Sequence, residues 1–219
     1  MSGIAQANHA MQIHYLQWNI GSKKRRVLAD DAVDVFIQSF SDLGGINDFS
    51  SILSADELQR AEKLHASQRY NWQAARYFLK TVLAQYVGGT PKNIVFEKTA
   101  HGKPILTGRG IEFSLSHTRR YVALAIAKVP VGIDIEEGDP EVDIYGVGKL
   151  CFTADEYKIV TESSRPLQLF YETWVTKEAH IKCLDITLEE LNNRSQLSPM
   201  QPLIAPSGVY GALAWQATR

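Results

Sequence analysis

The sequence predicts an α+β fold, and three observations carry that prediction. From Val131 to Glu136, apolar residues alternate strictly with Gly132, Asp134 and Glu136, which is the period of a strand with one buried face. Between Pro166 and Leu184, the residues Phe170, Trp174, Glu178 and Lys182 recur at every fourth position and follow one slowly rotating helical face. With 219 residues and 45% apolar content, the chain can bury a substantial core, as one large domain or as two halves of about a hundred residues.

Taken in order, Met1 to His9 lacks the apolar core of a secretion signal, and Met11 to Ile20 reads as a first strand. Lys23-Lys24-Arg25-Arg26 is a basic run in a polar loop. From Ser54 to Tyr86 the pattern is helical, with Ser54 as N-cap and Glu57 completing a capping box. This stretch carries Arg60, Lys63, Arg69, Arg76 and Lys80. Gly102-Lys103-Pro104 is a turn, and Phe113-Ser114-Leu115-Ser116-His117 is a short alternating strand. A further strand over Tyr121 to Ala127 ends at Lys128-Val129-Pro130, which marks the candidate break between an N-terminal subdomain, 1–129, and a C-terminal one, 130–219.

Beyond the acidic strand, the residues between Glu136 and Phe152 read as a connection. Thr153 then caps a helix with Glu156 as its capping-box acid. After the helix ending at Leu184, residues 185–207 read as a polar loop with one short strand, and Tyr210 to Ala217 as the last strand.

Composition narrows the function. With 23 basic and 24 acidic residues, the net charge of −1 speaks against a general nucleic-acid binder. Cys151 and Cys183 have no metal-ligand spacing and suit a reducing compartment. No apolar run is long enough to cross a membrane, so the expectation is a soluble, cytoplasmic protein.

The candidate chemistry lies on the acidic strand and the long helix. Asp134 and Glu136 point the same way, with Cα atoms roughly 7 Å apart, near enough to share one ion or its waters. Glu178 sits in a mostly apolar stripe between Trp174 and Ile181, a placement that calls for a compensating cation or donor. A set of three carboxylates suits Mg²⁺ better than zinc. That ion usually completes its shell with waters and substrate phosphates, and Lys103, His117 and Lys182 are candidate phosphate contacts.

These motifs occur in a telling order. Gly102-Lys103-Pro104, Phe113 to His117, Gly132-Ile133-Asp134-Ile135-Glu136, and Trp174 with Lys177-Glu178-Ala179 and Lys182 together resemble the 4′-phosphopantetheinyl transferase superfamily, in its longer, surfactin-type branch. The resemblance covers about Leu53 to Leu184. It implies two similar α/β subdomains in one chain, related by pseudo-two-fold symmetry with the active site between them, and hence a monomer. It implies transfer of the phosphopantetheine arm of coenzyme A to a serine of an acyl or peptidyl carrier protein, leaving adenosine 3′,5′-bisphosphate. By the same resemblance, Asp134, Glu136 and Glu178 hold Mg²⁺, Glu178 is also the general base, and Lys182 contacts the phosphates. His117 and Ser116 are contacts at the 3′-phosphate, Lys103 lies near the adenine nucleotide, and Arg76 and Arg60 on the basic helix reach the 3′-phosphate. Lys177 is counted with the coenzyme contacts as part of its motif. Because carrier proteins tend to be acidic, the Lys23 to Arg26 run is a candidate meeting point for one.

Two other classes share these residues. Another Mg²⁺-dependent phosphate enzyme, such as a pyrophosphatase or nuclease, would act without a carrier protein. A non-catalytic relative would bind coenzyme A or a carrier without turnover.

Overall fold

In the computed structural model, which describes residues 10–217, the chain builds two principal sheets, each with a long helix on its outer face. Its first part contains β1 (Gln12–Tyr15), β2 (Ala32–Ser39), α1 (Ala55–Glu62), α2 (Ala66–Val87), β3 (Glu97–Lys98), β4 (Pro104–Ile105), β5 (Glu112–His117) and β6 (Tyr121–Ala127). The second part contains β7 (Val131–Glu137), α3 (Ile144–Cys151), α4 (Ala154–Thr161), α5 (Pro166–Leu184), α6 (Leu188–Asn192), β8 (Met200–Pro202) and β9 (Val209–Trp215). The first sheet has the order β1-β2-β6-β5, with β1 and β2 parallel and the other pairs antiparallel. The second is antiparallel, in the order β7-β9-β8, and β3 and β4 form a small hairpin of their own.

The alternation of apolar residues explains the layering. On one face of the first sheet, Phe36, Phe113, Leu124 and Ile126 pack with Phe78, Leu79, Val82 and Leu83 of α2. On its other face, Val33, Val35, Ala123 and Ala125 meet Val131, Ile133, Ile135 and Leu213 of the second sheet. The far side of that second sheet is covered by α5, where Val175, Ala179 and Cys183 pack on Ala212 and Ala214. The order of layers is therefore helix, sheet, sheet, helix. The polar positions of β7, expected to belong to a strand open on one side, lie under α5, and Asp134 is only 2% exposed.

Several elements form as expected. The helix over Pro166 to Leu184 has those same limits, with Pro166 in its first turn, where a missing N–H is harmless. The capping boxes at Ser54 and Thr153 are both present. Other expectations need correction. The first strand stops at Tyr15. The single helix expected over Ser54 to Tyr86 is two helices, because the chain leaves helical geometry at His65, whose Nδ1 caps the second one. The break has a use. In one continuous helix, Glu57 and Arg76 would stand about 29 Å apart, whereas here the Glu57 carboxylate bridges Arg76 Nε at 3.2 Å and Lys80 Nζ at 2.9 Å. Helices α3 and α6 occupy stretches read as connection and loop, and β2 was not anticipated. The reading of residues 1–9 falls outside the described residues.

Gly132 decides how close α5 can come to β7. A Cβ at this position would lie 1.9 Å from the Ala179 carbonyl oxygen and 2.4 Å from the Cys183 nitrogen, both backbone atoms of α5. Gly132→Ala should therefore force the helix off the strand and destabilise the fold by about 3 kcal/mol or more. Denaturant unfolding checks this, and a cost under about 1 kcal/mol would mean that the helix shifts freely.

Candidate active site

A cleft opens where β5, β7 and the last turns of α5 meet. It has two adjoining lobes. The larger, about 510 Å³, is walled by Arg60, Trp72, Arg76, Lys103, His117, Glu178 and Lys182, among others. The smaller, about 370 Å³, is lined by Leu115, Ser116, His117, Asp134, Glu136, Trp174, Glu178 and Lys182. Leu115, His117, Glu178 and Lys182 border both lobes, and the walls come from both sides of Pro130.

The acids sit on rigid elements. Asp134 projects from the middle of β7 and is buried, while Glu136, two residues on, is half-buried. Asp134 Oδ1 accepts hydrogen bonds from Lys182 Nζ at 2.5 Å and from Ser116 Oγ at 2.8 Å. Its other oxygen, Oδ2, is buried without any hydrogen-bond partner. Burial, joined by the neighbouring Asp134 charge, pushes the carboxyls of both Glu136 and Glu178 above the usual carboxylate range, and Lys182 offsets only part of this. Three acids thus crowd one cavity with one ammonium group among them.

That excess of negative charge, the orphaned oxygen and an all-oxygen donor set fit a hard divalent cation. The expected cage, however, is not preassembled: among the described residues, no three acidic, histidine or cysteine side chains stand close enough to hold an ion. Lys182 is instead the cation held against Asp134. The donors suit a metal that keeps its waters and takes few protein ligands, in contrast to a closed structural site.

The basic side chains fall into two groups. His117 ends β5 exposed at the junction of the lobes, its ring edge-on to Phe40 at 6.4 Å. Arg76 lies in the larger lobe, held by Glu57 and placed over the Phe96 ring at 4.7 Å. Arg60 stands over Trp72 at 5.8 Å. Lys103 borders the same lobe, but its ammonium donates to the backbone carbonyls of Val131 at 3.1 Å and Lys182 at 2.6 Å, and burial lowers its pKa. Its hydrogen bonds thus join the N-terminal part of the chain to the start of β7 and the end of α5.

Lys177 is not in the cleft. Its buried ammonium pairs with Glu156 at 2.7 Å and also bonds Asn192, tying α5 to α4 and α6. Adjacent helical residues point about 100° apart, and here Lys177 faces α4 and α6 while Glu178 faces the cleft. Glu156 is a capping-box acid as expected. Although burial pushes its carboxyl up, the bonds from Lys177 and the Thr153 backbone hold it below the usual range.

Of the basic run expected to meet a partner, Arg26 is committed elsewhere, bonding Gln85 Oε1 at 2.9 Å and the Gln17 carbonyl at 3.1 Å, while Lys23, Lys24 and Arg25 are exposed. Two supporting roles escaped the sequence reading. Glu57 anchors Arg76 as well as capping α1, and Ser114 Oγ accepts the Ile133 N–H at 3.0 Å. Among the described residues, no helix is long and apolar enough to cross a membrane.

Comparison with known proteins points to one family. Residues 130–204 match the profile of the 4′-phosphopantetheinyl transferase superfamily. The chain is 30% identical over 166 residues to the 4′-phosphopantetheinyl transferase HetI of Nostoc sp., covering 72% of this chain and 70% of that protein. It is 30% identical over 141 residues to the 4′-phosphopantetheinyl transferase gsp of Aneurinibacillus migulanus, covering 63% of this chain and 58% of that one. Against the 4′-phosphopantetheinyl transferase Sfp of Bacillus subtilis, identity is 25% over 138 residues, 61% of each chain.

Because Lys177 holds three helices together outside the cleft, Lys177→Met should lower stability by about 1.5–3 kcal/mol, the range for hydrogen bonds to charged groups. Turnover of the folded variant should stay near that of the parent. A selective loss of turnover at full stability would return Lys177 to the site.

Proposed function

Because the chain belongs to the 4′-phosphopantetheinyl transferase superfamily, we propose that it transfers the 4′-phosphopantetheine arm of coenzyme A to a serine of an acyl or peptidyl carrier protein and releases adenosine 3′,5′-bisphosphate. The observation that carries this reading is the single cleft in which the acids of β7 and α5 face His117, Arg76 and Arg60 from the other part of the chain.

The chemistry follows from the side chains. The carrier serine oxygen attacks the phosphorus bearing the pantetheine. A new serine–phosphorus bond forms, and the bond from that phosphorus to the bridging oxygen breaks, so the bisphosphate departs with the electron pair. Glu178 takes the serine proton, directly or through a water, and a carboxyl whose burial raises its pKa is the better base near neutral pH. Lys182 contacts the phosphates and steadies the leaving group, while His117, Arg76 and Arg60 bind the 3′-phosphate and Lys103 shapes the nucleotide end. Asp134, Glu136 and Glu178 suit Mg²⁺, which when bound supplies charge neutralisation on the diphosphate. Positioning and electrostatics are most of what phosphoryl transfer requires. In the same reading, the subdomains 1–129 and 130–219 are related by an approximate two-fold with the site between them, and the protein acts as a cytoplasmic monomer. The two-fold arrangement is supported by each part supplying a sheet, a long helix and a share of the cleft wall.

Incubating the protein with coenzyme A, Mg²⁺ and an apo carrier domain should add one phosphopantetheine arm to the carrier's mass. Glu178→Gln and Asp134→Ala should each slow this by about a hundredfold or more. Hydrolysis of pyrophosphate or nucleic acid with no gain in carrier mass would favour a different phosphate enzyme. Glu178→Gln has a second readout. The parent's Glu178 carboxyl is raised above its unfolded value, so its ionisation weakens the fold increasingly as pH rises above the unfolded pKa and not at all below it. The variant should therefore melt higher than its metal-free parent at neutral pH, with the gain vanishing in acid.

His117→Ala should raise KM for coenzyme A, with a smaller effect on a substrate lacking the 3′-phosphate. Equal losses on the two substrates would remove His117 from that contact.

A further inference from the structure

We infer that Glu137 is a positioning residue for coenzyme binding: it fixes the β5–β6 turn and, with it, the backbone that carries His117. The inference rests on the transferase reading of the cleft, in which His117 meets the 3′-phosphate. Alternate residues of β7 face opposite ways. Gly132, Asp134 and Glu136 form one row, whereas Val131, Ile133 and Ile135 form the other and are fully buried between the sheets. Glu137 ends that second row, a carboxylate where the three residues before it are apolar. A half-buried charge in such a place needs partners, and one turn supplies them. Oε1 accepts from Thr118 Oγ1 at 2.5 Å and from the Arg120 backbone N–H at 2.8 Å, while Oε2 accepts from Arg120 Nε at 2.9 Å and lies 4.0 Å from Arg119 Nη2.

That turn begins at the residue after His117. The Thr118 hydroxyl gives its single proton to Glu137, and its oxygen accepts the N–H groups of Arg120 at 3.2 Å and Tyr121 at 3.1 Å. One carboxylate therefore orients the hydroxyl on which the turn is folded. From the first part of the chain, Asn71 Nδ2 donates to the Arg119 carbonyl and the Phe40 N–H to the Arg120 carbonyl, both at 2.8 Å. Glu137 supplies the matching hold from the second part, next to Glu136 of the cleft. His117 thus stands between two tied neighbours, Thr118 and Ser116, whose hydroxyl accepts the Ile135 N–H at 3.3 Å. Because the His117 side chain is exposed, its place depends on the backbone beneath it. Glu137, Thr118 and Arg120 line neither lobe, so their effect on the coenzyme passes through His117.

Steady-state transfer to an apo carrier domain tests this, with coenzyme A and with its analogue lacking the 3′-phosphate. Glu137→Met removes every acceptor, and Thr118→Val removes the hydroxyl while keeping the side chain's shape. Each should raise KM for coenzyme A by about tenfold with kcat close to the parent's, short of the roughly hundredfold that a displacement of about 1 Å can cost. Thr118→Ser keeps the hydroxyl and should use coenzyme A as the parent does. In a His117→Ala background, or with the analogue, Glu137→Met should change KM by less than about twofold, because the contact it serves is already gone. Should Glu137→Met fail to fold, the comparison of Thr118→Val with Thr118→Ser carries the test. The assignment is overturned if either disrupting variant keeps the parent's KM, if Thr118→Ser is as impaired as Thr118→Val, or if the rise in KM persists undiminished without His117 or without the 3′-phosphate. In any of these cases a raised KM in His117→Ala alone leaves the coenzyme reading of the cleft standing. A His117→Ala variant that uses coenzyme A as the parent does overturns that contact and this inference together.

Discussion

The contact on which the rest of the structure depends joins backbone to backbone. β7 has glycine at 132 because the Ala179 carbonyl and Cys183 amide of α5 occupy the space a Cβ would need. Once the helix lies that close, the next outward-facing position on the strand, Asp134, is directly beneath it, and Lys182 can close on its carboxylate. The same approach aims Glu178 into the cavity that Asp134 and Glu136 border. A looser packing of strand and helix would leave the same residues in the chain and no shared site. The sequence Gly-Ile-Asp-Ile-Glu is thus one unit, with the glycine setting the distance, the isoleucines filling the interface between the sheets, and the acids doing the electrostatics.

The cleft is also a place where stability is given up. Burial raises both Glu136 and Glu178, and one lysine serves three acids. Charge buried without full compensation works against folding and is tolerated where a ligand will later answer it. At two other places buried charges have ionic partners at short range. Glu57 answers Arg76 and Lys80, and Glu156 answers Lys177. The contrast between these satisfied pairs and the unsatisfied trio separates structural charge from charge kept for chemistry.

Elements with long, regular signals were legible in the sequence. α5 combined a proline start with a four-residue repeat, and β7 alternated cleanly. β2 was not, because it is buried on both faces and Asp34 interrupts its apolar run. That acid is satisfied by Tyr86 and His14, partners distant in sequence. α6 carried a readable cue in Thr187 and Glu190, a capping box like the two that were recognised. In the cleft, residue type and spacing singled out the three acids and His117 as candidates and the family resemblance singled out Arg76, and the structure brings all five to its walls. Lys177, counted with the coenzyme contacts through its motif, lies instead against α4 and α6, about 100° round the helix from Glu178. The bonds of Ser116 depend on β5 lying beside β7, a non-local fact that no local pattern encodes.

Lys103 sets how this cleft can move. Its ammonium is lodged between two main-chain oxygens, one at the first residue of β7 and the other near the end of α5. Any hinge that swung the two parts of the chain apart there would have to pull a charged amine away from both acceptors. The mouth is therefore braced at this point, and the groove behind it is held in one shape by main-chain acceptors.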